Sequence, residues 1–109
     1  MSSAFPDFIH RQVDLIDPIV VGEGCFRRDL PARNGVRIWV VDMAPGAVWP
    51  NVDDHDEFGE DIFVVSGELI EGERRLAAGS FLAFSPNSSH RPRTETGVRL
   101  FGFNLRPRS

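Results

Sequence analysis

Short apolar runs, separated by turns that contain glycine or proline, follow one another along most of the chain. The clearest run, 36–43, has apolar side chains at both sets of alternating positions, which predicts a strand covered on both faces. Further strands are predicted at 25–30, 62–65, 68–70, 74–76, 80–84 and 98–105, with an edge strand or extended lead-in at 13–21. No segment keeps the spacing of an amphipathic helix over a useful length, so the pattern predicts an all-β sandwich or barrel.

The connections between these runs carry clear turn signals. Asn34-Gly35 and Glu71-Gly72-Glu73 are predicted to reverse the chain, the second as a tight hairpin. Gly67 separates two neighbouring strands, where a bulge or a sharp bend would need a glycine. The segments 53–61 and 85–90 are polar and are predicted to be an acidic loop and a turn.

Length and composition indicate a single globular domain. The chain has 109 residues, of which 41% are hydrophobic, so it can form one core and little else. We expect one barrel domain over 1–109, with an N-terminal arm at about 1–12 and a short tail at 106–109. A barrel this small has open sheet edges, and the arm together with 13–21 could cover the edge of a neighbouring subunit.

Charge and special residues exclude several classes of function. A net charge of -4 argues against nucleic acid as a partner, since nucleic acids select basic surfaces. No apolar run approaches the roughly 20 residues of a membrane span, and the N-terminus lacks the pattern of a signal peptide. All twelve basic residues are arginine, which excludes Schiff-base chemistry on a lysine. Cys25 is the only cysteine and can form no internal disulfide, so we expect a cytoplasmic protein.

Two histidines and a glutamate at the predicted strand edges are the strongest candidates for chemistry. If the fold brings His55, Glu60 and His90 together, they form a set of two imidazoles and one carboxylate. Such a set binds one face of iron, manganese, nickel or zinc and leaves positions open for water or substrate. Asp53 or Asp54 could be a fourth ligand. The competing interpretation is that both histidines are solvated in polar loops.

Two spaced patterns then resemble the two motifs of the cupin superfamily. The first pattern is Gly46, then Asp53-x-His55-x4-Glu60-x6-Gly67. The second pattern is Gly79-x5-Ser85-x-Asn87-x2-His90-x3-Thr94. The segments 60–67 and 86–90 read closely like the cupin domain of cupin-type anti-sigma factors. The resemblance implies a double-stranded β-helix or jelly-roll barrel, a metal held by His55, Glu60 and His90, and a homodimer.

The chain departs from the cupin motifs at several positions. Asp53 stands where the first motif has a histidine, and Asp54 is a rival for the same place. Ser85, Asn87 and Thr94 replace the proline, glycine and asparagine of the second motif. An aspartate can still bind a hard divalent ion, so Asp53 is retained as the fourth metal ligand.

Other candidate sites are weaker. The acidic cluster at 53–61 does not have the spacing of an EF-hand loop, and no strained nucleophile elbow accompanies the serines. Arg37, Arg93 and Arg99 lie on predicted strands and could hold a substrate carboxylate if they point into the barrel. For each of them alone, a solvent-facing side chain is the simpler interpretation. Seven aromatic residues are expected in the core or a subunit interface: Trp39, Trp49, Phe63, Phe81, Phe84, Phe101 and Phe103.

The sequence therefore predicts a small cupin-type protein that binds a divalent metal and a small-molecule ligand. The first hypothesis is a metal-dependent oxygenase or isomerase that acts on a small polar molecule, with Glu60 as a general base if the metal is absent. The alternative is a non-catalytic binding or sensing module related to the anti-sigma cupin domains. A complete anti-sigma factor would also need a helical sigma-binding domain, for which 109 residues leave no room.

Overall fold

The computed structural model describes residues 7–33, 35–50, 53–54, 59–86 and 88–106, with the backbone alone for 53, 54 and 106. Within these residues there are nine strands and one turn of 3₁₀ helix, Val13–Leu15, and no helix is long and apolar enough to cross a membrane. The strands are β1 Ile19–Gly22, β2 Cys25–Leu30, β3 Gly35–Met43, β4 Asp53–Asp54, β5 Glu60–Glu71, β6 Arg74–Ala77, β7 Phe81–Phe84, β8 Ser89–His90 and β9 Val98–Arg106.

The strands form a seven-stranded sheet and a two-stranded sheet. The larger sheet has the order β1-β2-β3-β9-β5-β6, and β7 pairs with the start of β5 on the side opposite β9. The last strand, β9, lies between β3 and β5 and is antiparallel to both. β4 and β8 pair with each other in the second sheet. This arrangement confirms the predicted all-β jelly-roll barrel.

Most predicted strands are present, and two short ones were missed. β2 covers the predicted range, and β3, β6, β7 and β9 differ from theirs by one residue at one end. The predictions of an acidic loop at 53–61 and a turn at 85–90 are wrong where β4 and β8 form. A two-residue strand has no alternating pattern to recognise, because it is defined by its partner from a distant part of the chain.

β5 is one long strand, whereas the sequence indicated two. Its register against β9 shifts between Val64 and Ser66, which is the bulge that was expected at Gly67. Gly67 follows the bulge with φ of 78°, and its α-carbon faces the Gly97 carbonyl so closely that a β-carbon would overlap with that oxygen. A glycine is required here both by the backbone angle and by the close approach.

The core lies between the inner face of the large sheet and the segments that close the barrel. Cys25 is fully buried there, and burial raises the pKa of its thiol. Trp39 is also buried and lies flat over Gly102, where a β-carbon would overlap with the indole ring. The other buried members of this cluster are apolar: Val41, Met43, Ala47, Ile62, Val64, Leu69, Val98 and Leu100.

The outer face of the large sheet is only partly covered. Val40 is buried on it, while Val36 and Ile38 are half-buried, so the prediction that 36–43 is covered on both faces holds in part. Four aromatic residues predicted in the core or an interface are exposed on this outer face instead of buried: Phe63, Phe81, Phe101 and Phe103.

An ionic network on the outer face holds the N-terminal segment against its own sheet. Arg99 donates to both carboxylate oxygens of Asp42, at 2.7 and 2.9 Å, and to Asp14 at 2.6 Å. Arg28 donates to Asp42 at 2.7 Å and to the Ile16 carbonyl at 2.7 Å. The hydrogen bond from Arg99 lowers the pKa of the Asp14 carboxyl. Asp14 and Ile16, in the lead-in predicted to cover a neighbour's edge, therefore contact their own sheet, and β1 pairs with its own β2.

The glycine at the β5 bulge gives a direct test of the fold. Gly67 and Gly72 both have positive φ, 78° and 62°, but a β-carbon at Gly72 would meet no atom within 4 Å. Gly72→Ala should therefore cost only the backbone strain of about 1–2 kcal/mol. Gly67→Ala carries the same strain and must also move the backbone at Gly97, just before β9, so it should cost at least about 2 kcal/mol more. Urea denaturation would measure both values, and equal costs would contradict the close packing of β5 against Gly97.

Candidate metal centre

Glu60 begins β5 on the face that lines the barrel. Ile62 and Val64 follow at alternate positions and belong to the buried core, so the pleat directs Glu60 to the same side. Phe84 is the cross-strand partner of Glu60 on β7 and also packs against the core. The Oε2 atom of Glu60 is buried. This carboxylate therefore lies inside the barrel, at the end where β5 begins and β7 ends.

His90 reaches the same place from the second sheet. It lies in β8, is only 8% exposed, and stacks on Phe84 with ring centroids 4.1 Å apart and planes at 20°. Because Phe84 is opposite Glu60, the ring stack brings the imidazole and the glutamate to the same end of the barrel. The prediction of a solvated loop histidine is thus wrong for His90, which is buried.

A second glutamate holds the imidazole in place. The Nδ1 atom of His90 is 2.7 Å from Oε2 of Glu71, the last residue of β5. A carboxylate can only accept, so Nδ1 carries the proton and donates. Any metal bond from this ring would then be made by Nε2. The arrangement of carboxylate, histidine and metal is common where an imidazole must keep one orientation.

Glu71 was not among the sequence-predicted site residues. The sequence placed it in the hairpin turn, whereas the turn consists of Gly72 and Glu73, and Glu71 still pairs with Arg74. Leu69, two residues earlier, is fully buried in the core, and alternation from Leu69 puts Glu71 on the inner face. That alternation was the available signal, and the division of β5 into two predicted strands at Gly67 concealed it.

The other predicted ligands are described only in part. Asp53 is the backbone partner of His90, and Asp54 is the partner of Ser89, while the side chains of both lie outside the described residues. His55 also lies outside them. In the part of the chain that is described, no three His, Cys, Asp or Glu side chains form a group able to hold a metal ion.

The donor chemistry of the described residues fits a divalent metal. An imidazole and a carboxylate come from two different sheets toward the same end of the barrel, and the imidazole is held by Glu71 through its other nitrogen. Imidazole and carboxylate together suit first-row transition metals, and thiolate is not needed. His55 would supply the third protein ligand, five residues before Glu60 in the sequence.

The inner face continues from Glu60 toward β3 as a row of polar side chains. Asn104 accepts a hydrogen bond from the Trp39 indole nitrogen at 3.2 Å. Arg37 is the cross-strand partner of Asn104 and lies at the start of β3. The other two arginines predicted on strands differ, because Arg99 belongs to the outer ionic network and Arg93 forms backbone bridges to Val48 and Ile70.

Thr94, which replaces an asparagine of the second cupin motif, has a structural role. Its side chain is buried, donates to the Glu68 carbonyl at 2.6 Å and accepts from the Gly97 amide at 3.0 Å. Its backbone amide donates to Ala47 at 3.0 Å. Thr94 thereby connects three segments below the site, and the substitution keeps the frame of the motif.

Comparisons with known proteins show the fold. No protein-family model and no curated protein matches the sequence. Among solved structures, an RmlC-like cupin from Shewanella frigidimarina is similar over 99% of this chain and 95% of its own, with 20% identity and a TM-score of 0.75. The polyketide cyclase RemF from Streptomyces resistomycificus is similar over 90% of this chain and 79% of its own, with 12% identity and a TM-score of 0.76.

A third similar structure is that of Rhodobacter sphaeroides SigE in complex with the anti-sigma ChrR. The match covers 86% of this chain and 52% of that chain, with 18% identity and a TM-score of 0.75. This chain thus corresponds to about half of the matched chain. The three matches together show that the protein has the cupin fold, as the motif resemblance implied.

The contact between His90 and Glu71 predicts a defined ring state and a loss of stability when it is broken. Nitrogen NMR of the histidine side chains should show His90 with its proton on Nδ1 at neutral pH. Glu71→Gln should lower the free energy of unfolding by about 1–3 kcal/mol, the cost of removing a charged acceptor from a buried donor. Glu73→Gln, in the exposed turn two residues later, is the matched control and should change little. Equal effects of the two variants would contradict the contact.

Proposed function

We propose that the protein binds one divalent transition metal ion inside the barrel through His55, Glu60 and His90, with Asp53 as a fourth ligand. The ion would be iron, manganese, nickel or zinc. We propose further that the protein is a small metal-dependent oxygenase or isomerase that acts on a small polar molecule in the cytoplasm. The observation that carries this proposal is the buried imidazole of His90. Its Nδ1 atom is 2.7 Å from Oε2 of Glu71, and the ring lies at the end of the barrel where Glu60 faces inward.

The burial of these groups favours a site over a structural ion pair. Burying a glutamate oxygen and an imidazole at the end of an apolar core costs free energy unless both gain strong partners. Glu71 supplies one partner to His90 through Nδ1, and a metal ion would add a ligand bond to each of the two groups. Phe84 stacks on one side of the ring, which limits its rotation and keeps water from that face.

The register of the second sheet supports Asp53 over its neighbour as the fourth ligand. In an antiparallel pair, residues directly opposite each other lie on the same face of the sheet. Asp53 is opposite His90, whereas Asp54 is opposite Ser89 and so belongs to the other face. We therefore assign the aspartate ligand to Asp53.

The bound metal would supply Lewis acidity or oxygen activation at the open coordination positions. The chain's own residues would hold the ligand set and orient it: Glu71 fixes the His90 ring, and Phe84 forms a wall beside it. Glu60, if not engaged by a metal, would act as a general base inside the barrel.

The alternative function is a non-catalytic metal or ligand sensor. The observation that favours it is the similarity to the complex of SigE with the anti-sigma ChrR. A metal whose coordination is completed by protein side chains would favour the sensor, and a metal that retains exchangeable water would favour the enzyme. Water-proton relaxation measured on the manganese-loaded protein distinguishes the two cases.

Metal binding should stabilise the fold, because the folded state alone brings the ligands together. Adding Mn²⁺, Fe²⁺, Ni²⁺ or Zn²⁺ to metal-free protein should raise the melting temperature, and the titration should show one equivalent bound. His90→Ala and His55→Ala should each remove most of this gain, and Glu60→Gln should weaken it while the fold is kept. Differential scanning fluorimetry with calorimetric titration would measure both effects.

His10 supplies the matched control for the histidine variants. It is exposed and lies outside both motifs, so His10→Ala should leave metal binding unchanged. If His55→Ala and His90→Ala bind all four metals as tightly as the parent protein, the site is not in the barrel.

We also propose that the protein is a homodimer, with a second copy covering the exposed aromatic face of the large sheet. Phe63 of β5 pairs across the sheet with Phe101 on one side and with Phe81 on the other. These three side chains are 42%, 37% and 65% exposed, and Phe103 beside them is 37% exposed. Together they present about 350 Å² of aromatic surface, roughly the apolar centre of a standard interface of about 800 Å² per partner. The flat face of a sheet can pair with its own copy about a two-fold axis.

A charge at the centre of this face should separate the subunits. Phe63→Glu places a carboxylate against its symmetry mate, so the mass measured by light scattering should change from dimer to monomer at micromolar concentration. Leu15→Glu is the matched control, since Leu15 is 82% exposed but lies in the 3₁₀ turn. A parent protein with monomer mass, or a Phe63→Glu variant that stays dimeric, would contradict the proposed interface.

A further inference from the structure

Arg37 lies at the mouth of the barrel on its inner side. It precedes Trp39 by two residues, and Trp39 is buried in the core, so the pleat of β3 directs both side chains to the same face. The Arg37 side chain is 40% exposed, which places it at the rim of the barrel rather than in the packed interior. Its guanidinium is thus within reach of a small molecule that enters at the end where Glu60 lies.

Asn104 lies opposite Arg37 with its amide held in one orientation. Its Oδ1 atom accepts the Trp39 indole hydrogen at 3.2 Å, so the amide nitrogen is the end that remains to donate. Trp39 can reach Asn104 because its ring crosses β9 over Gly102, where a β-carbon would collide with the indole. Two kinds of donor, a guanidinium and an amide, are therefore adjacent on the inner face.

The charge of Arg37 is only weakly compensated by the described residues. Asp29 lies 4.0 Å from Arg37 but makes its closer contact, at 3.0 Å, with Arg27. On β5 and β9 the neighbouring outward-facing pair is Asp61 with Phe103, so the inward-facing Glu60 lies next to Asn104. Two strand spacings, about 10 Å in all, thus separate the α-carbons of Arg37 and Glu60. A molecule of a few heavy atoms can contact the Arg37 guanidinium and the proposed metal ligands together.

We propose that Arg37 and Asn104 form a carboxylate-binding subsite, and that the molecule bound beside the metal is a small carboxylic acid. The guanidinium binds a carboxylate through two parallel hydrogen bonds, and the Asn104 amide donates a third. The carboxylate of Asp29, 4.0 Å from Arg37, and the net charge of -4 disfavour a dianion such as phosphate. This inference deepens the proposed function, on which it rests for the position of the acid's other end.

The subsite can be tested with lactate and its neutral counterpart lactamide as probes. In NMR titrations of metal-free and zinc-loaded protein, lactate should cause saturable shifts at the Arg37 and Asn104 side chains, and lactamide should not. Arg37→Gln should weaken lactate binding by at least about tenfold, as expected when a charged hydrogen-bond donor is removed. Arg11→Gln, with the same change of charge on an exposed arginine, should leave it unchanged within about twofold.

Two further variants make the test independent of folding. Asn104→Asp keeps the acceptor for Trp39 but replaces the donor with an anion, so it should weaken lactate binding by at least about fivefold. Arg37→Lys keeps the charge without the planar fork, and its affinity should fall between those of the parent and the glutamine variant. If Arg37→Gln is unfolded, the lysine variant decides the result.

Three outcomes would overturn the subsite. The first is that lactate and lactamide bind equally well. The second is that Arg37→Gln or Arg37→Lys binds lactate with the affinity of the parent protein. The third is that inorganic phosphate binds more tightly than lactate. The metal proposal fails separately. If lactate binding depends on Arg37 but the protein binds no zinc, the subsite proposal stands and the metal proposal is rejected. If the protein binds zinc but does not prefer lactate to lactamide, the metal proposal stands and the subsite proposal is rejected.

Discussion

The candidate site depends on one irregularity in the longest strand. In β5, Glu60, Ile62 and Val64 face the interior at even positions, while Leu69 and Glu71 face it at odd positions. The bulge between Val64 and Ser66 shifts the inward-facing positions from even to odd residue numbers. A regular strand would turn Glu71 to the outer surface, because a shift of one residue exchanges the two faces. The bulge therefore places both glutamates inside one barrel, one at each end of the strand.

The rest of the site follows from this geometry. Glu71 reaches His90 in the second sheet, and Phe84, which pairs with Glu60, stacks on the same imidazole. The last residue of β5, Glu71, thus contacts His90 directly. The first residue, Glu60, is connected to His90 through Phe84. Gly67 allows the strand to bend after the bulge, because only hydrogen separates its α-carbon from the Gly97 carbonyl.

Sequence reasoning predicted the fold more fully than the site. Apolar runs and turns were sufficient for the large strands, because a short apolar run between turn residues favours a strand over a helix. β4 and β8 were missed since strands of two residues depend on long-range pairing. Glu60 and His90 were identified by residue type and spacing, and the structure places both at one end of the barrel. The inward position of Glu71 depends on the register shift in β5, and the pairing of Arg37 with Asn104 depends on the register of β3 against β9. Sequence patterns alone do not reveal either register.

The central claim is that the barrel end between Glu60 and His90 is a metal site. Diffraction from crystals grown with Mn²⁺, recorded at a wavelength where manganese scatters anomalously, tests it most directly. The account predicts one strong anomalous peak within about 2.3 Å of His90 Nε2 and of a Glu60 carboxylate oxygen, with His90 Nδ1 still bonded to Glu71. A barrel without such a peak, or with manganese bound only to surface carboxylates, would contradict it.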